Sequence, residues 1–165
     1  MKRKLTKTQR LSYVTMLAAL AIVINLFESM FIPPIQFGIR FGLANIIALI
    51  TIQLFGVKEL FIVNTMRVTI GSLLRGYIFG SPFWISFGGV LVSTIMIVLC
   101  YKMKTSELFM SILSAIGHSF GQVMIVMFLY HQTGIIALFP VLAISSVATG
   151  LLTGYIAKEC VKRVK

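Results

Sequence analysis

The sequence predicts an all-α integral membrane protein, a bundle of six transmembrane helices with both termini in the cytoplasm. Three observations lead there. Of 165 residues 58% are hydrophobic, and the mean hydropathy is +0.99. Apolar runs that approach or exceed the ~18 residues needed to cross a ~30 Å hydrocarbon layer follow one another in series, which soluble domains do not show. The basic residues are confined to short segments between those runs.

A polar, basic lead at 1–10 carries Lys2, Arg3, Lys4, Lys7 and Arg10, and the first apolar run occupies 11–31 before Pro33 and Pro34 end it. The second run, 35–55, has Arg40 near its start and stops at Gly56. Within it, 42–55 alone is too short to cross and needs the residues before it. A third helix covers 58–77, ahead of the turn Gly80-Ser81-Pro82. Runs at 83–101, 107–130 and 135–157 complete the set, followed by a basic tail at 158–165. No period of 20 to 50 residues and no low-complexity linker divides the chain, so 1–165 is expected to be a single membrane domain.

Lysine and arginine set the orientation. Five lie in the N-terminal lead, Lys58 in one turn, Lys102 and Lys104 in another, and Lys158, Lys162, Arg163 and Lys165 in the tail, against Arg40 and Arg75 on the opposite face. The positive-inside rule then puts both ends in the cytoplasm. A formal charge of +11 in a soluble protein would suggest nucleic acid, but no soluble basic domain exists here to bind it. The two cysteines, Cys100 and Cys160, end apolar runs beside basic residues on the reducing side, so free thiols are expected.

Arg67 stands apart from this pattern, because it sits inside an apolar run. A charge at the centre of a membrane helix costs roughly 2.5–3.5 kcal/mol on translocon-type scales, and such residues face a bundle interior or a wet cavity. Asn64, Arg67, Gly71 and Arg75 are spaced by three, four and four residues, which gathers them on one helical stripe. The fifth helix carries a second polar stripe: Ser111, Ser114, Ala115, His118 and Gln122. At ~1.5 Å of rise per residue, Glu28, Gln36, Arg40, Asn45 and Arg75 fall toward the outer face, and Arg67, His118 and Gln122 in the middle to outer half. Glu28, Arg40, Asn45, Asn64, Arg67, Arg75, His118 and Gln122 are therefore the candidate solute-binding residues. Each also has a purely structural reading, as an interhelical hydrogen bond or an interfacial charge. With more basic groups than carboxylates, such a site favours an anionic or strongly hydrogen-bonding solute.

Small residues form stripes of another kind. Ser12, Thr15 and Ala19 align on the first helix, Ser86, Gly89 and Ser93 on the fourth, and Ala143, Ser146, Gly150, Gly154 and Ala157 on the sixth. Such faces permit close helix approach, either inside this bundle or against another membrane subunit. Thr15, Ala19, Gly150 and Gly154 are the candidate partner-docking residues.

All four acidic residues are glutamate. Without aspartate there is no Asp-rich magnesium site for a prenyl diphosphate, and the chain lacks a phosphate-binding loop. His118 and His131 are isolated, with neither a metal-ligand cluster nor a nucleophile with base and orienting acid around them. No catalytic residue, metal or cofactor is expected, and the chain does not read as an enzyme.

Phe41-Gly-Leu-Ala-Asn-Ile-Ile47, Phe55-Gly-Val-Lys-Glu59, Asn64-Thr-Met-Arg67, Gly71-Ser-Leu-Leu74, His118-Ser-Phe-Gly-Gln122 and Gly150-x-x-x-Gly154 together resemble the bacterial Gx transporter family. That family also carries the older label heptaprenyl diphosphate synthase component I. It is similar to the substrate-binding S-components of energy-coupling factor (ECF) transporters. The resemblance implies a multi-pass subunit of the bacterial plasma membrane that binds a small solute from outside. Energy would come from a separate transmembrane coupling protein with two ATPases. It further implies a flavin- or quinone-related solute. The alternative to uptake is a non-transporting scaffold subunit of an electron-transfer or isoprenoid/quinone-synthesis assembly. S-components meet the coupling protein through Ala-x-x-x-Ala on the first helix, from which Thr15-x-x-x-Ala19 departs at its first position.

Overall fold

A computed structural model describes residues 6–31 and 43–164. Among these the chain forms six α-helices and no strand: α1 (Lys7–Phe31), α2 (Asn45–Leu54), α3 (Val57–Leu74), α4 (Ser81–Lys102), α5 (Glu107–Tyr130) and α6 (Phe139–Val164), with a 3-10 helix at Thr133–Leu138 leading into α6.

Four of these have the length and apolar composition to cross a membrane by themselves: α1, α4, α5, and α6 with its 3-10 lead. The other two depart from the expected pattern for identifiable reasons. With 10 residues α2 is about 15 Å long, half of a ~30 Å layer, and the residues expected to complete that span lie outside the described part. An 18-residue α3 reaches about 27 Å but carries Lys58, Glu59 and Arg67.

Large apolar side chains cover the outside of the bundle. On α1, Leu11, Met16, Leu20, Val23, Phe27 and Met30 are exposed, and Val141, Ile144, Leu151 and Leu152 are exposed on α6. A soluble monomer does not display so much apolar surface, whereas a lipid-embedded one does. The chain is a multi-pass membrane protein.

One end of the bundle gathers the start of α1 and the last turns of α6. Arg10 Nη2 pairs with Glu59 Oε1 at 2.7 Å and donates to the Phe55 carbonyl at 2.9 Å, which places the start of α1 beside the turn between α2 and α3. At that end Ile52, Leu60, Ile97, Cys100, Met110 and Ala157 form one buried cluster, so the last turns of α6 lie there as well. Cys160 is exposed and also free, like buried Cys100. Ser106 caps α5 by accepting a hydrogen bond from the Phe109 amide at 3.2 Å. The opposite end holds Ile85, Val123, Val126, Ile135 and Leu142.

Glycine decides how closely α5 approaches its neighbours. A Cβ placed on Gly121 would lie 2.9 Å from the Gly88 carbonyl carbon and 3.0 Å from Gly89 Cα, so α4 and α5 meet backbone to backbone. On the other side, a Cβ on Gly150 would lie 2.8 Å from Ile112 Cα, and one on Gly154 2.7 Å from Ser111 Cβ. Hydroxyl pairs reinforce this second seam: Ser111 with Thr153 at 2.9 Å and Ser119 with Ser146 at 2.7 Å.

Gly150 and Gly154 are thus packed against α5 within the chain. Thr15 and Ala19 on α1 are exposed. Gly154→Leu should destabilise the fold by about 3 kcal/mol through overpacking, read as a lowered melting temperature of the detergent-solubilised protein. An unchanged melting temperature would show that α6 does not rest on α5 at this point.

Candidate functional site

The polar residues inside the bundle converge on one cavity. Asn25 and Glu28 of α1, Asn45 of α2, Arg67 of α3, Arg75 just beyond it, Ser86 of α4, and His118 and Gln122 of α5 line it, with Ala44, Val68 and Val90 as apolar walls. Five helices supply its lining. Glu28, Asn45, Arg67, His118 and Gln122 are each at most 7% exposed.

Local structure explains how each side chain arrives. Arg67 extends toward the start of α2, where its Nη1 donates to Asn45 Oδ1 at 3.4 Å, and Glu28 is the acidic group that acts on it electrostatically. Arg75 folds back along α3. Its Nε donates to the Gly71 carbonyl at 2.8 Å, its Nη2 to Asn25 Oδ1 at 2.6 Å, and its guanidinium carbon sits 4.9 Å from the centre of the Tyr77 ring. The path runs past Gly71, where a Cβ would lie in ordinary contact, 3.4 Å from Arg75 Nη2 and 3.5 Å from Asn25 Oδ1. His118 and Gln122, one turn apart on α5, stand over Gly89, where a Cβ would come 2.7 Å from Gln122 Cγ and 3.0 Å from His118 Cε1.

Of the eight residues expected at a solute site, Glu28, Asn45, Arg67, Arg75, His118 and Gln122 line this cavity together. Asn64 does not. Its amide nitrogen donates to Thr94 Oγ1 at 2.8 Å across the α3–α4 contact, and Thr94 passes its own proton to the Val90 carbonyl at 2.7 Å. Arg40 lies outside the described residues, as does Gln36. Sequence reasoning passed over Asn25, although it stands three residues before Glu28 on the same helical face, and grouped Ser86 with the small residues.

The cavity is small, about 20 Å³, which suits a water molecule more than a metabolite. Its chemistry is nonetheless incomplete: among the described residues, Gln122 Oε1 and Arg67 Nε are buried with no hydrogen-bond partner. Such an atom costs about 1–3 kcal/mol, so an acceptor and a donor stand ready for a guest. Two guanidinium groups face one carboxylate here, a balance that suits oxygen anions.

At the other end of the bundle a wider groove of about 720 Å³ runs past Gln53, Tyr101, Lys102, Lys104 and Glu107. Lys102 and Lys104 are exposed there, so it is a solvated face and not a buried recognition site.

The family model described as heptaprenyl diphosphate synthase component I matches residues 17–160 of the chain. Comparisons with curated proteins and with solved structures return no match.

Proposed function

The chain belongs to the heptaprenyl diphosphate synthase component I family, and from that membership and the buried polar cavity we propose that it is a solute-binding membrane subunit of the S-component type. In this reading the chain is a single membrane domain of a bacterial plasma membrane with both ends in the cytoplasm. It takes up a small anionic or hydrogen-bonding solute, of flavin- or quinone-related chemistry, with energy from a separate ATPase module.

The observation that carries the reading is the gathering of Arg67, Arg75, Glu28, Asn45, His118 and Gln122 around one cavity inside an otherwise apolar bundle. Isolated polar residues in membrane helices are satisfied pairwise by neighbours. Here five helices contribute to one point, and atoms of two of the residues remain unpartnered there among the described residues. The small volume implies that the walls separate when a solute enters, since metabolite sites span about 300–1,000 Å³.

The exposed Thr15 and Ala19 face of α1 is the docking surface left for a coupling protein, because the glycines of α6 are used inside the chain. Protein withdrawn gently from its native membrane should bring a transmembrane coupling protein and ATPase subunits with it. Ala19→Trp, on an exposed position, should reduce that copurification at least tenfold without lowering expression. Stable partners with no ATPase among them would favour the scaffold reading, and undiminished copurification of the variant would remove α1 as the docking face.

A further inference from the structure

A second, apolar recess adjoins the polar cavity. Between α3 and α4 a groove of about 40 Å³ is bordered by Phe61, Thr65, Phe87 and Leu91, with Val68 and Val90 at its inner wall. The same two valines form the apolar wall of the polar cavity. Val68 is 5% exposed and Val90 8%, so the two spaces are separated by a partition one side chain thick. Phe61, Phe87 and Leu91 are between 38% and 45% exposed, on the outer surface of the bundle where lipid tails would run.

The groove has a direction. Val68 directly follows Arg67, and Phe61 lies two turns nearer the start of α3, so the recess leads away from the guanidinium for about 10 Å along the helix. Asn64 and Thr94 also line it and are joined by a hydrogen bond, with Asn64 Oδ1 buried and without a partner among the described residues.

We infer that the ligand is an amphiphile, with an oxygen-anion head in the polar cavity and one aliphatic tail that passes between Val68 and Val90 to lie in the groove. The inference rests on the proposed solute site and specifies what that site takes. Arg67 and Arg75 attract the negative head, and Arg67 Nε offers it a buried donor. The cavity of about 20 Å³ holds about one water, so even the head enters only as the walls separate, and the rest of the molecule lies elsewhere. Val68 and Val90 belong with Phe83 to one buried cluster, so the tail enters by parting that wall, beyond which the groove is mainly apolar and opens sideways to the bilayer.

The test compares dodecyl phosphate with butyl phosphate and inorganic phosphate, and dodecanoate with butanoate, on full-length protein in nanodiscs of neutral phosphatidylcholine. Binding to an Arg67→Met variant is subtracted as membrane partitioning. In at least one series the twelve-carbon probe should bind at least tenfold tighter than the four-carbon probe. Leu91→Trp, which fills the groove from its exposed rim, should bring the long probe to within about twofold of the short one. Equal Arg67-dependent binding of long and short probes would overturn the tail and leave the solute site standing. If no probe binds in an Arg67-dependent way, the solute site itself is wrong, and the amphiphile falls with it.

Discussion

Replacing Arg67 with methionine should weaken solute binding by about a hundredfold or more while leaving expression intact. The guanidinium reaches Asn45 at 3.4 Å and presents a buried Nε without a partner among the described residues, so it has unused capacity for an anion. Truncating one member of a buried, hydrogen-bonded charge pair costs about 2–5 kcal/mol, and about 2.7 kcal/mol is a hundredfold in affinity. Stability responds differently. Removing a central charge from a membrane helix relieves roughly 2.5–3.5 kcal/mol of insertion cost, but it also leaves Glu28 without the cation that acts on it. Arg67→Met with Glu28→Gln should therefore melt at or above the wild-type temperature and still fail to bind. A double variant that binds like wild type would make Arg67 a packing residue.

The second large effect is expected at the α4–α5 seam, where Gly121→Leu should prevent the protein from accumulating in folded form. A side chain at Gly121 meets backbone atoms of Gly88 and Gly89 at 2.9 and 3.0 Å, and backbone cannot step aside. Gly117 is an internal control on the same helix. A Cβ there meets Met96 Cγ at 2.9 Å, in an unbranched side chain that can turn aside, so Gly117→Ala should cost about 1 kcal/mol. Gly89→Ala tests the link from packing to the site. Its methyl presses on the Gln122 and His118 side chains and on the His118 carbonyl at 3.0 Å, so it should weaken binding at least tenfold and lower the melting temperature in protein that still folds. The folded yield of Gly121→Leu, with the melting temperatures and solute binding of Gly117→Ala and Gly89→Ala, checks the order. Equal loss of stability at positions 117 and 121 would contradict the backbone contact.

Much of this site was legible in the sequence because membrane helices make polar residues conspicuous. Arg67 and Arg75, His118 and Gln122, Glu28 and Asn45 were selected by depth and helical spacing, and the bundle brings them to one cavity. Asn64 was grouped with Arg67 because they are three residues apart. Three residues leave about 60° between side chains on a helix, enough for Arg67 to face α2 while Asn64 faces α4. Spacing alone does not say where one neighbouring helix ends and the next begins. The small-residue stripes were ambiguous for a related reason: glycine permits close approach without naming the partner, and α5 takes that place against α6. The shortness of α2 was foreshadowed by the need for residues before 42 to complete its span.

The most direct test of a solute site is native mass spectrometry of wild-type protein released gently from its own membrane. A single bound small molecule of constant mass, in one-to-one ratio with the chain and absent from Arg67→Met, is the result expected. A bare wild-type chain, or the same adduct retained by the variant, would contradict it.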